Sequence, residues 1–182
     1  MLRPLYKLIF KLSGWKMEGS FSPEVKKYII AVAPHTSNWD FVIGVMARSI
    51  LRLQRARFLG KDSLFKPPFG WLFRWLGGYP VDRTKNNDMV QQVVDIFNRH
   101  DQFILAMAPE GTRKKVSKLR TGFYFIAKNA GVPIIPVGFD FSKKCVVIGE
   151  PLYASDNLEA DFNRLLSFYR NIRGKNPESG ID

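Results

Sequence analysis

The stretch PHTSNWD, residues 34–40, places a histidine and an aspartate five positions apart. It follows the apolar run YIIAVA, so His35 stands where a predicted strand ends. If the chain bends here, the Asp40 carboxylate can contact one imidazole nitrogen, which fixes the tautomer and stabilises the imidazolium. The other nitrogen can then take a proton from a substrate hydroxyl. The pattern predicts a general base at position 35 and its partner at position 40.

A structural interpretation of the same residues is also open. Ser37 and Asp40 have the spacing of a capping box, in which side chains satisfy the free backbone N–H groups of a helix start. On one regular helix, positions five apart point about 140° away from each other, so His35 must precede the first turn for the pair to form. The two interpretations are compatible.

A second polar segment, APEGTRKK at residues 108–115, follows the apolar run FILAMA. Glu110 and Arg113 flank a glycine, Gly111, which lets the backbone approach a ligand closely. Arg113 offers a planar guanidinium to a phosphate group, and the two lysines after it add positive charge. Arg83 ends GGYPVDR, residues 77–83, behind a third strand. Each segment alone is typical of a solvated turn, but together they predict a phosphate site.

Some familiar catalytic patterns are missing from the sequence. It contains no G-x-S-x-G nucleophile motif, P-loop, G-x-G-x-x-G, C-x-x-C or H-E-x-x-H pattern. The other histidine, His100, is too far along the chain to form a local metal pair with His35. The sequence therefore predicts neither an enzyme nucleophile nor a metal site.

Short β-rich runs alternate with helical patterns along the chain. The predicted strands cover residues 28–33, 57–60, 78–81, 103–108, 134–138 and 145–148. The predicted helices cover residues 2–13, 39–53, 87–100, 118–130 and 158–172. This alternation predicts an α/β fold with one mixed, mostly parallel sheet flanked by helices. Active sites in such sheets lie beyond the carboxyl ends of the strands, where His35 and Glu110 are expected.

The composition restricts the partner and the compartment. The chain has 182 residues and a net charge of +12, which favours an anionic partner such as nucleic acid, anionic lipid or a phosphorylated ligand. Its single cysteine, Cys145, cannot form an internal disulfide and fits a reducing compartment. The apolar runs are shorter than the ~20 residues that cross a bilayer.

The first residues, MLRPLYKLIFKLSGW, form an amphipathic pattern. On a helical wheel, Arg3, Lys7 and Lys11 fall within an arc of about 80°. Apolar side chains fill the opposite side, and Trp15 follows the helix. Such a helix can lie in a membrane interface, but it can equally pack on its own domain.

HTSNWD resembles the His-x4-Asp motif of the glycerolipid acyltransferase family, which includes the lysophosphatidic acid acyltransferases. The resemblance continues in order through GKDSLFKPPFGWLFRWLGGYPVDR, APEGTRKK and VPIIPVG, so that it covers roughly residues 32–138. Members often carry Asn before the histidine, where this chain has Pro34.

This resemblance implies acyl transfer to a lipid hydroxyl from a thioester, either acyl-CoA or acyl-carrier protein, without a cofactor. His35 matches the general base of the family, and Asp40 matches its partner. The residues that the resemblance assigns to the acceptor phosphate are Lys61, Arg83, Glu110, Gly111, Thr112 and Arg113. Pro133 and Pro136 match the block tied to the donor side or the pocket. No nucleophile from the enzyme is required, because the acceptor hydroxyl itself attacks the thioester.

The sequence is therefore interpreted as a single acyltransferase domain, residues 1–182. Residues 1–15 form the membrane-contact helix, 28–150 the catalytic core and 156–173 a C-terminal helix. We expect a peripheral protein on the cytoplasmic face of an anionic membrane, with 1-acyl-glycerol-3-phosphate as its acceptor. Another lipid acceptor, or a non-catalytic basic domain that binds membrane or nucleic acid, is the alternative. Because no recognisable nucleic-acid module is present, no nucleic-acid partner is expected.

Overall fold

The computed structural model describes residues 2–81 and 89–180 of the chain. The strands are β1 (Lys16–Glu18), β2 (Lys27–Val32), β3 (Ala56–Lys61), β4 (Gly78–Val81), β5 (Phe103–Met107), β6 (Ile134–Asp140) and β7 (Cys145–Ile148). The helices are α1 (Arg3–Ser13), α2 (Trp39–Ile50), α3 (Gly70–Trp75), α4 (Met89–Arg99), α5 (Gly122–Ala130) and α6 (Leu158–Tyr169), with 3₁₀ turns at Asp62–Phe65 and Pro177–Ser179.

The seven strands form one sheet in the order β1-β7-β6-β2-β5-β3-β4. Strand β2 runs parallel to its neighbours β5 and β6, and β3 runs parallel to β5 and β4. Among the strands of the described chain only the β6–β7 pairing is antiparallel, and β1 runs parallel to β7. Five strands therefore end at the same edge of the sheet, which confirms the predicted mostly parallel α/β class.

The predicted elements are present, with some differences at their ends. Helix α2 ends at Ile50 rather than at residue 53, and α5 begins at Gly122 rather than at 118. Strand β1 and helix α3 were not predicted. Both are short, three and six residues, so neither gives a clear periodic pattern. The C-terminal helix α6 lies within the predicted range 156–173.

The two faces of the sheet carry separate hydrophobic cores, because alternate residues of a strand point to opposite faces. Ile29 and Ala31 of β2 pack in the core beneath α4, α5 and α6. Tyr28 and Ile30 pack in the core beneath α1 and α2. Central strand β6 is buried at every residue, as expected for a strand covered on both sides.

The segment 62–75 covers the same face of the sheet as α2. Phe65 packs so closely on β4 that a Cβ added at Gly78 would lie 2.8 Å from its ring. Gly78 is in register with Phe58, whose ring meets Phe41 of α2 edge-on at 5.8 Å. Residues in register on parallel strands share a face, so the turn and α3 lie beside α2.

Among the described residues, no helix combines the length and the apolar character needed to cross a bilayer. Helix α1 lies against α2 instead. Its Phe10 is buried, and the Arg3 Nε donates a hydrogen bond to the carbonyl of Ile50 at 3.0 Å. The predicted amphipathic helix is therefore present and partly packed on its own domain.

Candidate active site

His35 and Asp40 form a close pair where β2 gives way to α2. The His35 Nδ1 lies 3.0 Å from the Asp40 Oδ2, and the two side chains are 20% and 1% exposed. The chain bends between them as the catalytic interpretation requires, with His35 before the helix and Asp40 in its first turn. Within the described residues Nε2 has no hydrogen-bond partner, so it can face a substrate.

The Asp40 carboxylate also organises the start of α2. Its Oδ2 accepts hydrogen bonds from the backbone N–H groups of Thr36 at 2.8 Å and Ser37 at 2.9 Å. The Ser37 hydroxyl oxygen accepts from the N–H of Trp39 at 3.2 Å, whereas the N–H of Asp40 donates to the Ser37 carbonyl. Only the carboxylate half of the predicted capping box is therefore formed. The structural and the catalytic interpretation of Asp40 therefore hold together.

Glu110 fixes the histidine from the neighbouring strand. It follows β5, which pairs with β2, and its Oε2 accepts a hydrogen bond from the backbone N–H of His35 at 2.7 Å. The residue is 2% exposed, and its Oε1 has no hydrogen-bond partner among the described residues. Burial raises the pKa of the Glu110 carboxyl above its usual range, and the bond from His35 partly opposes this. Glu110 thus clamps the loop that carries His35.

This raised pKa predicts a pH-dependent stability. Above the ordinary glutamate pKa the unfolded chain ionises first, so the contribution of Glu110 to stability falls as pH rises towards the pKa of the folded state. The variant Glu110→Gln keeps an acceptor for the His35 N–H but cannot ionise. We expect its unfolding free energy to rise relative to that of the parent as the pH increases from acid to neutral. Urea titrations at several pH values measure this. Glu178→Gln, at an exposed position, is the control. If the unfolding free energies of the parent and Glu110→Gln change with pH in the same way, the prediction is wrong.

Among the described residues, the predicted phosphate-binding residues lie at or just beyond the carboxyl ends of β3 and β5. Lys61 is the exposed last residue of β3, which lies next to β5. Gly111 to Arg113 follow Glu110, with Arg113 exposed. Gly111 has φ +67°, a left-handed conformation that favours glycine, and a Cβ there would lie 2.6 Å from the Arg120 Nε. The Thr112 hydroxyl oxygen accepts from the backbone N–H of Lys114 at 3.2 Å.

Not every predicted site residue can be placed beside His35. Arg83 lies outside the described residues. Pro133 precedes β6 at the opposite edge, where its carbonyl accepts from the N–H of Ile29 at 2.9 Å. Pro136 lies within β6 in register with Ala31 of β2, four positions before His35. Both prolines are buried in the sheet, and their part in the donor pocket stays a prediction.

Tyr169 contacts the end of the strand that precedes His35, and the sequence did not predict this contact. It is 4% exposed, and its hydroxyl donates to the carbonyl of Ala31, near the end of β2, at 2.7 Å. Burial and the nearby charge of Glu110 both raise the pKa of this phenol. In the sequence, Tyr169 only continues the apolar stripe of a predicted helix, four positions after Leu165.

No group of three or more His, Cys, Asp or Glu side chains in the described chain is arranged to hold a metal ion. The second histidine, His100, is not near the pair. Its Nδ1 lies 2.8 Å from the carbonyl oxygen of Ile96, and its ring lies 5.4 Å from that of Phe103.

Comparison with known proteins agrees with this geometry. The chain is 34% identical over 134 residues to the 1-acyl-sn-glycerol-3-phosphate acyltransferase of Escherichia coli K12, covering 69% of this chain and 53% of that protein. It is 33% identical over 139 residues to the enzyme of the same name from Haemophilus influenzae, covering 71% and 55%. This protein thus spans about half the length of these curated relatives.

A solved structure matches the fold. The crystal structure of the 1-acyl-sn-glycerophosphate acyltransferase PlsC from Thermotoga maritima superposes with a TM-score of 0.60 at 19% identity, over 92% of this chain and 74% of that one. A family model described as Acyltransferase matches residues 16–140, from β1 to the end of β6. That range holds the His35–Asp40 pair, its Glu110 clamp and well over half of the chain, which therefore belongs to the Acyltransferase family.

Proposed function

We propose that this protein is an O-acyltransferase that moves a fatty acyl group from a thioester to the hydroxyl of a lysophospholipid. The observation that carries the proposal is the His35–Asp40 pair at the carboxyl edge of the sheet, in which Nε2 of His35 has no hydrogen-bond partner among the described residues. The names of the curated relatives support 1-acyl-glycerol-3-phosphate as the acceptor. Either acyl-CoA or acyl-carrier protein supplies the thioester.

The pair can perform the transfer without an enzyme nucleophile. Asp40 holds the proton on Nδ1, so Nε2 of His35 takes the proton of the acceptor hydroxyl as its oxygen attacks the thioester carbonyl. When the tetrahedral intermediate collapses, the C–S bond breaks and the thiolate takes the proton back from the imidazolium. The products are an ester and a free thiol, and His35 returns to its neutral state.

The basic residues at this edge fit the charge of the acceptor. Lys61 ends β3 and Arg113 follows β5, the strand next to β2, and both are exposed; Arg83 follows β4 in the sequence. A guanidinium can bind a phosphate through two parallel hydrogen bonds, whereas an ammonium acts as a compact point charge. The lysophosphatidate phosphate is therefore assigned to these cations.

The exposed apolar residues support a peripheral position on a membrane, and we propose its cytoplasmic face. We call residues 2–13, 39–50 and 62–75, which cover one face of the sheet, the first helical layer. Twelve of the fifteen exposed large hydrophobic side chains in the described residues belong to it. They are Leu2, Leu5, Leu8, Ile9, Leu12, Trp39, Phe41, Val42, Leu64, Phe69, Trp71 and Trp75. Such one-sided apolar exposure is typical of a membrane or protein interface.

Helix α1 would contact lipid through its apolar row more than through its basic stripe. Arg3 binds the α2 carboxyl end, and the Trp15 ring packs edge-on against Phe141 at 5.1 Å. Lys7 and Lys11 remain exposed and can meet anionic headgroups, each contributing ~1 kcal/mol near the surface. Of the four residues assigned to membrane contact from the sequence, these two are the best placed.

We expect the triple variant Leu5→Ser, Leu8→Ser and Leu12→Ser to bind lipid vesicles much more weakly than the parent. These side chains are 49%, 51% and 78% exposed, so the fold loses little. Each inserted leucine contributes about 1.5 kcal/mol, so removing three lowers partitioning ~10³-fold. Cosedimentation with phosphatidylglycerol-containing vesicles measures this.

The matched control replaces the three exposed apolar residues outside the first helical layer, Phe125, Tyr153 and Leu158, with serine. This variant is expected to pellet like the parent. If both triple variants lose vesicle binding equally, or if neither loses it, docking through α1 is contradicted. The double variant Lys7→Glu and Lys11→Glu isolates the salt-dependent part of binding.

A thioester-release assay tests the proposed reaction. The purified protein is given acyl-CoA or acyl-carrier protein with a panel of lysophospholipids and glycerol 3-phosphate. We expect free thiol to appear in step with a diacyl product, with 1-acyl-glycerol-3-phosphate as the best acceptor. Salt-dependent binding to DNA without thioester consumption would favour the alternative of a basic binding domain.

A further inference from the structure

The chain that follows α6 returns to the loop that carries His35. The carbonyl of Arg173 accepts a hydrogen bond from the N–H of Phe141, just after β6, at 2.9 Å. Three residues later, the backbone N–H of Asn176 donates to the Thr36 hydroxyl at 3.2 Å, and the Asn176 Nδ2 donates to the Thr36 carbonyl at 2.9 Å. The backbone of Asn176 thus binds the side chain of Thr36, and the side chain of Asn176 binds the backbone of Thr36.

This contact is close as well as reciprocal. Gly174 is buried, and a Cβ added to it would lie 2.6 Å from the Thr36 Oγ1 and 3.3 Å from the Pro34 Cγ. Thr36 itself is 3% exposed, although Asn176 is largely exposed. We call residues 173–176 the C-terminal strap, because they lie across the loop from residue 34 to residue 37.

Three separate parts of the chain therefore hold this loop. Glu110 binds the N–H of His35, Asp40 binds the N–H of Thr36, and Asn176 binds the Thr36 carbonyl. The Thr36 N–H donates to Asp40 and the Thr36 carbonyl accepts from Asn176, so the backbone of Thr36 cannot turn without losing one of these bonds. The orientation of the next residue back, His35, follows from that backbone.

We infer that Asn176 is a positioning residue for the acyl transfer, because it fixes the Thr36 backbone between His35 and Asp40. The inference rests on the proposed function of that pair. Asn176 lies outside residues 16–140, the part of the chain that matches the family model. General-base catalysis needs the imidazole within hydrogen-bond reach of the acceptor hydroxyl, and a displacement of about 1 Å can cost ~10²-fold in rate.

Two substitutions at position 176 separate positioning from packing. Asn176→Ala removes the side-chain donor, and we expect kcat to fall about tenfold, the loss of one hydrogen bond, with KM for the donor and the acceptor changed less than about twofold. Asn176→Asp has the same shape but places a carboxylate against the Thr36 carbonyl. It is expected to lose at least as much kcat as Asn176→Ala.

Asn171→Ala is the matched control. Asn171 is an exposed asparagine in the same stretch after α6, and its side chain makes no hydrogen bond within the described residues. We expect its kcat and its KM values to equal those of the parent. Wild-type kcat in Asn176→Asp, or equal losses in the variants at 171 and 176, would overturn the positioning role.

Hydrogen exchange tests the contact without relying on activity. In Asn176→Ala, amides of residues 35–41 are expected to exchange faster, while those of β2, β5 and β6 keep their protection. If exchange is faster but the parent releases no thiol from any thioester, the strap contact stands and the proposed reaction fails. Unchanged exchange at residues 35–41, or a loss of protection spread over the whole sheet, would overturn the positioning role.

Discussion

Replacing His35 with alanine is expected to lower kcat for acyl transfer by ~10²–10⁴-fold, the usual contribution of a positioned general base. The expectation follows from the 3.0 Å contact of Nδ1 with the Asp40 carboxylate and from Nε2, which has no hydrogen-bond partner in the part of the chain that the structure describes. Without the imidazole, the site loses the nitrogen that is proposed to accept the proton of the attacking hydroxyl. Thiol release and diacyl product, followed with the purified variant under saturating substrates, give kcat directly.

His100→Ala provides a matched control for this measurement. It removes the only other histidine of the chain, whose ring lies against Phe103 and the end of α4. We expect it to keep the turnover of the parent. His35→Ala should also keep the unfolding midpoint close to that of the parent, since its side chain is not part of either core. Near-parental turnover by His35→Ala would overturn the proposed mechanism.

Much of the site could be predicted because its central residues follow strands with clear patterns. His35 and Glu110 come directly after two continuous apolar runs, and parallel strands bring their carboxyl ends to one edge. The family resemblance implies for His35 and Asp40 the same roles, general base and partner, that their spacing predicts. The adjacency of β2 and β5, by contrast, depends on strand order, which no local pattern specifies.

The contacts that hold the loop could not be predicted from local sequence. Glu110 was assigned to the acceptor phosphate, but its Oε2 lies on the backbone N–H of His35, a contact between residues 75 positions apart. Thr36 and Asn176 are separated by 140 positions, and neither carries a pattern that distinguishes it from an ordinary loop residue. Such long-range hydrogen bonds become visible only once the fold brings the segments together.

The amphipathic pattern of α1 illustrates a different limit. The wheel correctly separated basic and apolar sides, but it could not show which side packs on α2. In the structure a narrow third face, carrying Arg3 and Phe10, packs inward, and the row of Leu5, Leu8 and Leu12 stays exposed. Sequence periodicity therefore predicted the helix but not its orientation.

Asp40→Asn is the second substitution with a large expected effect. The amide oxygen can still accept the N–H groups of Thr36 and Ser37, so the start of α2 should survive. A neutral amide cannot stabilise the imidazolium as a carboxylate does, and it can hold the wrong tautomer of His35. We therefore expect kcat to fall by ~10²–10⁴-fold while the unfolding midpoint changes little.

The capping role of Asp40 can be separated from its chemical role by a control at another helix. The Asn157 side chain caps α6 by accepting from the N–H of Ala160 at 3.0 Å, far along the chain from the pair. Asn157→Ala and Asp40→Ala should each lose about 1 kcal/mol of unfolding free energy, the usual value of a cap. Only the substitution at Asp40 should also lose turnover. If Asp40→Asn keeps full kcat and Asp40→Ala behaves like Asn157→Ala, then Asp40 only caps α2, and His35 acts without a carboxylate partner.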